Sequence, residues 1–188
     1  MATRGFRRAR VGYIRLMSLT TQIGPIVQRS RSSTLRVAVV GTYPPTRCGI
    51  ATFTADVEST LTSLGTDVEV LDVGADGRID PHDPESFRRA ATHANTAADI
   101  VLVQHEFGIF GGPAGSNLLL FTQALTIPYV VTYHTVLPEF DSIQAEVVNT
   151  LNGNAAAVTV FTATARLWML NQGLAALGGS RAAAAEVD

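Results

Sequence analysis

Lysine is absent from this 188-residue chain, in which all fourteen basic residues are arginine. That bias, like the abundance of alanine, reads as the signature of a GC-rich genome and carries no mechanism. Cysteine occurs once, as Cys48, so no internal disulfide framework is available, which fits a reducing, cytoplasmic setting. Apolar runs stop short of the ~18 residues that a membrane-spanning helix needs, so no integral membrane segment is expected. Charge is sparse, at 16% of residues with a net of −2, which gives no reason to expect nucleic acid as a partner. A secretory pattern is also missing, because no clean apolar core leads to a small-residue cleavage site. What is present is a 46% hydrophobic composition, enough for one domain with a substantial core and hardly two.

Acidic residues are missing from the start of the chain. The first is Asp56, whereas Arg4, Arg7, Arg8, Arg10, Arg15, Arg29, Arg31 and Arg36 all precede it. Such leaders occur as transit peptides, as membrane-surface arms, or as translated upstream sequence. The reading adopted for residues 1–34 is a disordered extension. Regular patterning begins at Leu35, and residues 35–172 form the expected domain. Residues 173–188, rich in Ala and Gly, read as a disordered tail.

Within the domain, Leu35 to Gly41 is a short, β-branched run ended by glycine, as in a buried parallel strand. Ile50, Phe53, Val57, Leu61 and Leu64 then recur at helical spacing and stop at Gly65. Further strands are expected over Asp67–Val73, Ile100–Val103, Pro128–Tyr133 and Ala155–Phe161. Helices are expected from Asp83-Pro84 to about Ala97, from Ala114 to Leu125, from Ser142 to Leu151, and from Ala163 onward. Strands alternating with helices imply an α/β domain with a Rossmann-like, doubly wound parallel sheet of about five or more strands. Right-handed crossovers place helices on both faces. The expected strand order is 2-1-3-4-5, which puts function at the carboxyl ends of the first and third strands.

Three loops fall on that edge. The first, Gly41 to Gly49, brings Arg47, Gly49 and Ile50 to the start of a helix, where free backbone N–H groups and the helix dipole favour an anion. It is not a dinucleotide fingerprint, since two prolines intervene, and a rigid turn that merely starts a helix explains it equally well. The second is Gln104-His105-Glu106-Phe107-Gly108-Ile109-Phe110-Gly111-Gly112-Pro113. Glycines and aromatics there suit a surface that stacks on a polar ligand, or a folded-back loop with Phe107 and Phe110 in the core, or both. The third is Thr132-Tyr133-His134-Thr135, in which His134 is placed to bond a phosphate or a sugar hydroxyl, or to serve as a structural hydrogen-bonder. His105, Glu106 and His134 raise the question of a metal. No close histidine pair of the H-E-x-x-H kind is present, and no metal is expected. No G-x-S-x-G elbow suggests a hydrolase. Cys48 reads as a small apolar residue or, beside a helix N-terminus, as a nucleophile.

Read together, Thr42-Tyr43-Pro44-Pro45 through Phe53, Gln104 through Gly112, and Thr132 through Leu137 resemble the bacterial group-1 (family 4) glycosyltransferases. The resemblance spans about Leu35 to Leu170. It implies one half, the acceptor side, of a two-domain GT-B enzyme that transfers a sugar with retention from a nucleotide sugar to a hydroxyl acceptor. No cofactor is implied beyond that nucleotide-sugar co-substrate. On this reading Arg47, Gly49 and Ile50 lie beside the donor diphosphate, and His134 is the catalytic residue at the transferred sugar. The acceptor, a sugar or polyol, lies against His105, Glu106, Phe107, Gly108, Phe110, Gly111 and Gly112.

The family's donor half carries two glutamates with seven residues between them. Here Glu139 and Glu146 are the nearest imitation, with six residues between them and in the wrong domain. The resemblance therefore implies a truncated or split product, inactive alone, whose partner is a separate chain with the donor domain. Three rivals stand beside it: a non-catalytic module that binds sugar or phosphate on the same edge, a small hydrolase or reductase, and an inert fragment.

Overall fold

The computed structural model describes residues 34–172 and 185–186. The expectations for residues 1–33 and for most of the C-terminal segment lie outside the described residues. Six parallel strands form one sheet: β1 Arg36–Gly41, β2 Asp67–Asp72, β3 Ile100–His105, β4 Tyr129–Tyr133, β5 Ala157–Val160 and the two-residue β6 Ala185–Glu186. Their order is β2-β1-β3-β4-β5-β6. The first five positions match the order expected from the sequence. Strand β6 falls in the stretch read as a disordered tail, where it adds two residues beside Thr159 and Val160.

Five helices connect the strands: α1 Gly49–Ser63, α2 Pro84–Ala97, α3 Leu118–Ala124, α4 Ser142–Asn154 and α5 Ala163–Asn171. Alternate residues of β1, β3 and β4 (Ala38, Val40, Val101, Val103, Tyr129, Val131, Tyr133) join one buried cluster with Phe87 of α2, Phe121 of α3 and Leu151 of α4. The intervening Val37 and Val39 are also buried and point to the opposite face. Helix α1 lies there, as a right-handed crossover requires. Its buried residues are Ala51 and Thr54, with the larger apolar residues of the expected stripe only half-buried and Leu64 exposed. The small side chains decide this contact, because they let the helix close on the sheet. A Cβ at Gly41 would sit 3.0 Å from both Thr54 Oγ1 and Gln104 Cβ, so the end of β1 has no room for one.

Two boundaries differ from the expected pattern. The helix expected from Ala114 begins only at Leu118, after a 3₁₀ turn over Pro113–Gly115. Ala114 and Gly115 both have positive φ there, 52° and 74°, which breaks the helix. Asn117 does not cap it. Its amide instead donates to the Pro81 carbonyl at 3.1 Å. The fifth strand is shorter than expected because α4 runs on to Asn154, with the Ala155 N–H donating to Leu151 O at 3.1 Å.

The start of α4 is fixed by a reciprocal cap. Asp141 Oδ1 accepts from the Ile143 and Gln144 amides at 2.9 and 2.8 Å, and Gln144 Oε1 accepts from the Asp141 amide at 3.1 Å. Such a box satisfies amide groups that the helix leaves orphaned. Asp141→Ala is expected to lower stability by about 1 kcal/mol in urea unfolding.

Candidate functional site: a cavity at the carboxyl edge of β4 and β5

The last residues of β3 and β4 deliver the sequence-predicted histidines in opposite ways. Successive strand residues point to opposite faces. His105, last in β3, turns into the core, where it is fully buried. Its ring lies 4.9 Å from Phe107, 6.1 Å from Phe110 and 4.8 Å from Tyr133, centroid to centroid. Neither ring nitrogen has a hydrogen-bond partner. Burial, and to a lesser degree the neighbouring His134, pushes its pKa down to about 3, so the ring is neutral. Phe110 is equally buried, and Phe107 packs against the same core. The folded-back reading of this loop therefore holds for both aromatics.

His134 follows β4 and stands at the edge, half-buried. Its Nε2 lies 2.9 Å from Gln104 Oε1, so with that amide oxygen as acceptor Nε2 carries the proton and Nδ1 keeps a free lone pair. The ring meets Phe53 of α1 edge-on at 4.8 Å and Phe161 at 5.1 Å. Burial lowers its pKa from 6.5, while the Glu106 carboxylate works in the other direction. His134 is thus an uncharged acceptor near neutral pH. Glu106 is tied down next to it, accepting from the Thr135 hydroxyl and from the Phe107 amide. The second and third loops meet through the Gln104–His134 and Glu106–Thr135 pairs, and Phe53 of α1 touches His134.

The first loop is more open. Arg47 and Gly49 are exposed, and Ile50 is half-buried. Arg47 makes no hydrogen bond or ion pair among the described residues, and a Cβ on Gly49 would meet nothing within 4 Å. Cys48 takes the role of helix cap, its Sγ 3.4 Å from the Ala51 amide and 3.1 Å from Thr42 Oγ1. In the second loop Gly108 is exposed with open space around it, whereas Gly111 and Gly112 have positive φ and close neighbours. Among the described residues no group of three or more His, Cys, Asp or Glu is placed to hold a metal ion.

A cavity of about 260 Å³ lies beside His134, lined also by Thr135, Val136, Phe161, Thr162, Ala165 and Trp168. The sequence pattern missed its far wall. Phe161 read as the end of a strand, and Thr162, Ala165 and Trp168 as the opening of a final helix with no chemistry. The available signal was the aromatic pair Phe161 and Trp168 flanking hydroxyl residues near a strand end.

Comparisons with known proteins name no family. No family model matches the chain, and no curated protein matches it. Among solved structures, the pyridoxal kinase of Staphylococcus aureus in complex with AMP-PCP aligns with a TM-score of 0.49 and 18% identity. The alignment covers 78% of this chain and 55% of the kinase. The chain thus spans about half the kinase's length, and a likeness at this level carries no argument about activity. The resemblance to GT-B glycosyltransferases is withdrawn here, since no family model and no curated protein supports the motif match. With it fall the acceptor-half and retaining-transfer readings that rested on those motifs. What stands is an α/β domain with an all-parallel sheet. Among the described residues no helix is long and apolar enough to cross a membrane.

Proposed function

We propose that this domain is a binding module for a small hydroxyl-bearing ring of the sugar class, held in the cavity beside His134. The observation that carries the reading is the chemistry of the cavity wall. Ligand pockets for drug-sized molecules run to about 300–1,000 Å³, so 260 Å³ suits a single ring rather than a dinucleotide. No arginine lines the cavity, and its histidine is neutral with a free acceptor. Thr135 spends its proton on Glu106, leaving its oxygen as an acceptor too. Thr162 Oγ1 accepts from the Ala165 amide at 3.0 Å, so its own proton remains available. Acceptors backed by a carboxylate favour hydroxyl donors and disfavour phosphate. Phe161 and Trp168 supply apolar faces against which the C–H face of a ring can lie.

The test is titration calorimetry of the full chain with neutral monosaccharides, their phosphate esters and inorganic phosphate. Neutral sugars are expected to bind, and their phosphate esters to bind more weakly. His134→Ala is expected to weaken sugar binding by about tenfold, the equivalent of one hydrogen bond of about 1.4 kcal/mol. Heat from phosphate alone, abolished by Arg47→Ala and untouched by His134→Ala, would move the site to the start of α1 and end this reading. Turnover of any sugar by the pure chain would end the binding-module reading as well.

A further inference from the structure

Helix α5 forms one wall of the cavity. Its cap Thr162 lies two residues after β5, and its other end is fastened to the segment that follows β4. Its polar fastening is one side chain, beside the apolar packing of Met169 in the buried core cluster. Gln172 Oε1 accepts from the Phe140 amide at 2.7 Å, and Gln172 Nε2 donates to the Leu137 carbonyl at 3.0 Å and to Trp168 O at 3.1 Å. Between these two attachments Ala165 and Trp168 form cavity wall, while Leu167 and Leu170 are exposed. Met169 is the helix's buried residue. A nine-residue helix is marginal by itself, so its position depends on its attachments.

We propose that α5 is a lid over the cavity, hinged at Phe161–Thr162 and latched by Gln172. Closing it brings Trp168 and Ala165 against the space beside His134. Opening it breaks the two bonds to Leu137 and Phe140, draws Met169 from the core and widens the partly open space beside His134. The latch is an uncharged amide between two backbone groups, so it responds to neither pH nor salt over the neutral range. The lid's role in ligand entry rests on the reading of the cavity as a binding site, but its opening is measurable with no ligand present.

Trp168 is the only tryptophan of the chain, so its fluorescence reports this cavity alone. The experiment compares the full-length chain with Gln172→Ala and Gln172→Glu, the latter keeping an acceptor for Phe140 N while losing the donor to Leu137 O. Acrylamide quenching of Trp168 and amide hydrogen exchange are followed together. Loss of the two neutral hydrogen bonds to Phe140 and Leu137, with the one to Trp168 O, is expected to raise exchange of the α5 amides, such as Arg166, on the order of tenfold, with Gln172→Glu intermediate. Trp168 is expected to quench more readily in the same order. Amides of the sheet, such as His134 N–H donating to His105 O, are expected to keep their protection. Unchanged α5 exchange in both variants would overturn the proposal. So would equal acceleration in α5 and the sheet, which would make the helix part of the cooperative core. A lid that opens over a cavity taking no neutral sugar would leave the latch standing and remove the proposed ligand.

Discussion

Gly111→Ala is expected to be among the most damaging single-methyl additions to this domain, lowering stability by about 2–5 kcal/mol. A Cβ at this position would lie 2.0 Å from the Pro81 carbonyl oxygen, a distance at which backbone must move. The φ of +65° adds a second penalty, since an L side chain in the left-handed region costs about 1–2 kcal/mol. Relief of the clash by shifting backbone costs about 1–3 kcal/mol more. The Pro81 carbonyl does not yield easily, because the Asn117 amide, itself 3.1 Å from that Cβ, donates to it at 3.1 Å. Gly108→Ala is the matched control. Its Cβ would meet nothing within 4 Å and its φ is not positive, so a change within about 0.5 kcal/mol is expected. Urea midpoints of the two variants check this. Similar midpoints would mean that the Phe107–Gly112 loop is not held against Pro81 as described.

His105→Leu is expected to stabilise the domain at neutral pH by about 1–3 kcal/mol, because it removes two buried ring nitrogens that have no partner. The same substitution is expected to change the response to acid. The folded-state pKa is pushed down to about 3 by burial, against 6.5 for a free imidazole. Above about pH 6.5 the ring is neutral in both states and contributes no pH dependence. Between 6.5 and 3 the unfolded chain binds a proton that the folded chain refuses. Stability is therefore lost as pH falls through that window, on the order of 1.4 kcal/mol per unit. His105→Leu removes that share of the acid slope, so the gap between variant and wild type should widen as pH drops from about 6.5. A gap that stays constant with pH, or a variant less stable at neutral pH, would show that the ring is hydrogen-bonded in solution.

These two expectations also bear on what the second loop is for. Its glycines and aromatics suggested a ligand surface from sequence, and packing accounts for much of the pattern. Gly111 and Gly112 are forced by positive φ and by close backbone or side-chain neighbours. Phe110 and His105 are core residues. Glu106 alone of that loop reaches the edge beside His134, through Thr135. A loop that bends back tightly onto its own sheet shows the same residue types as one that cradles a ligand, because both need positive φ and close approach. Composition does not separate the two.

The layered architecture was legible in local sequence signals. The β-branched run of β1, its glycine stop, the Asp83-Pro84 start of α2 and the spacing of strands between helices are local signals, and chirality converts them into strand order. The sequence also placed His134 at the edge, because a residue that ends a strand in a parallel sheet must lie there. Tertiary structure decided the rest. Whether adjacent β3 and β4 endings send His105 inward and His134 outward depends on register between strands, which short-range patterning does not carry. The start of α3 at Leu118 follows the positive-φ break at Ala114 and Gly115, beside a contact from Asn117 to Pro81, 36 residues away in the chain. The cavity wall from Phe161 to Trp168, and the Gln172 latch 35 residues from its acceptor at Leu137, arise only when α5 folds back toward the segment after β4. Local sequence encodes which elements form, since each depends on neighbours within a few residues. The cavity depends on where separate elements meet, and the energy of those meetings belongs to pairs of residues far apart in the chain.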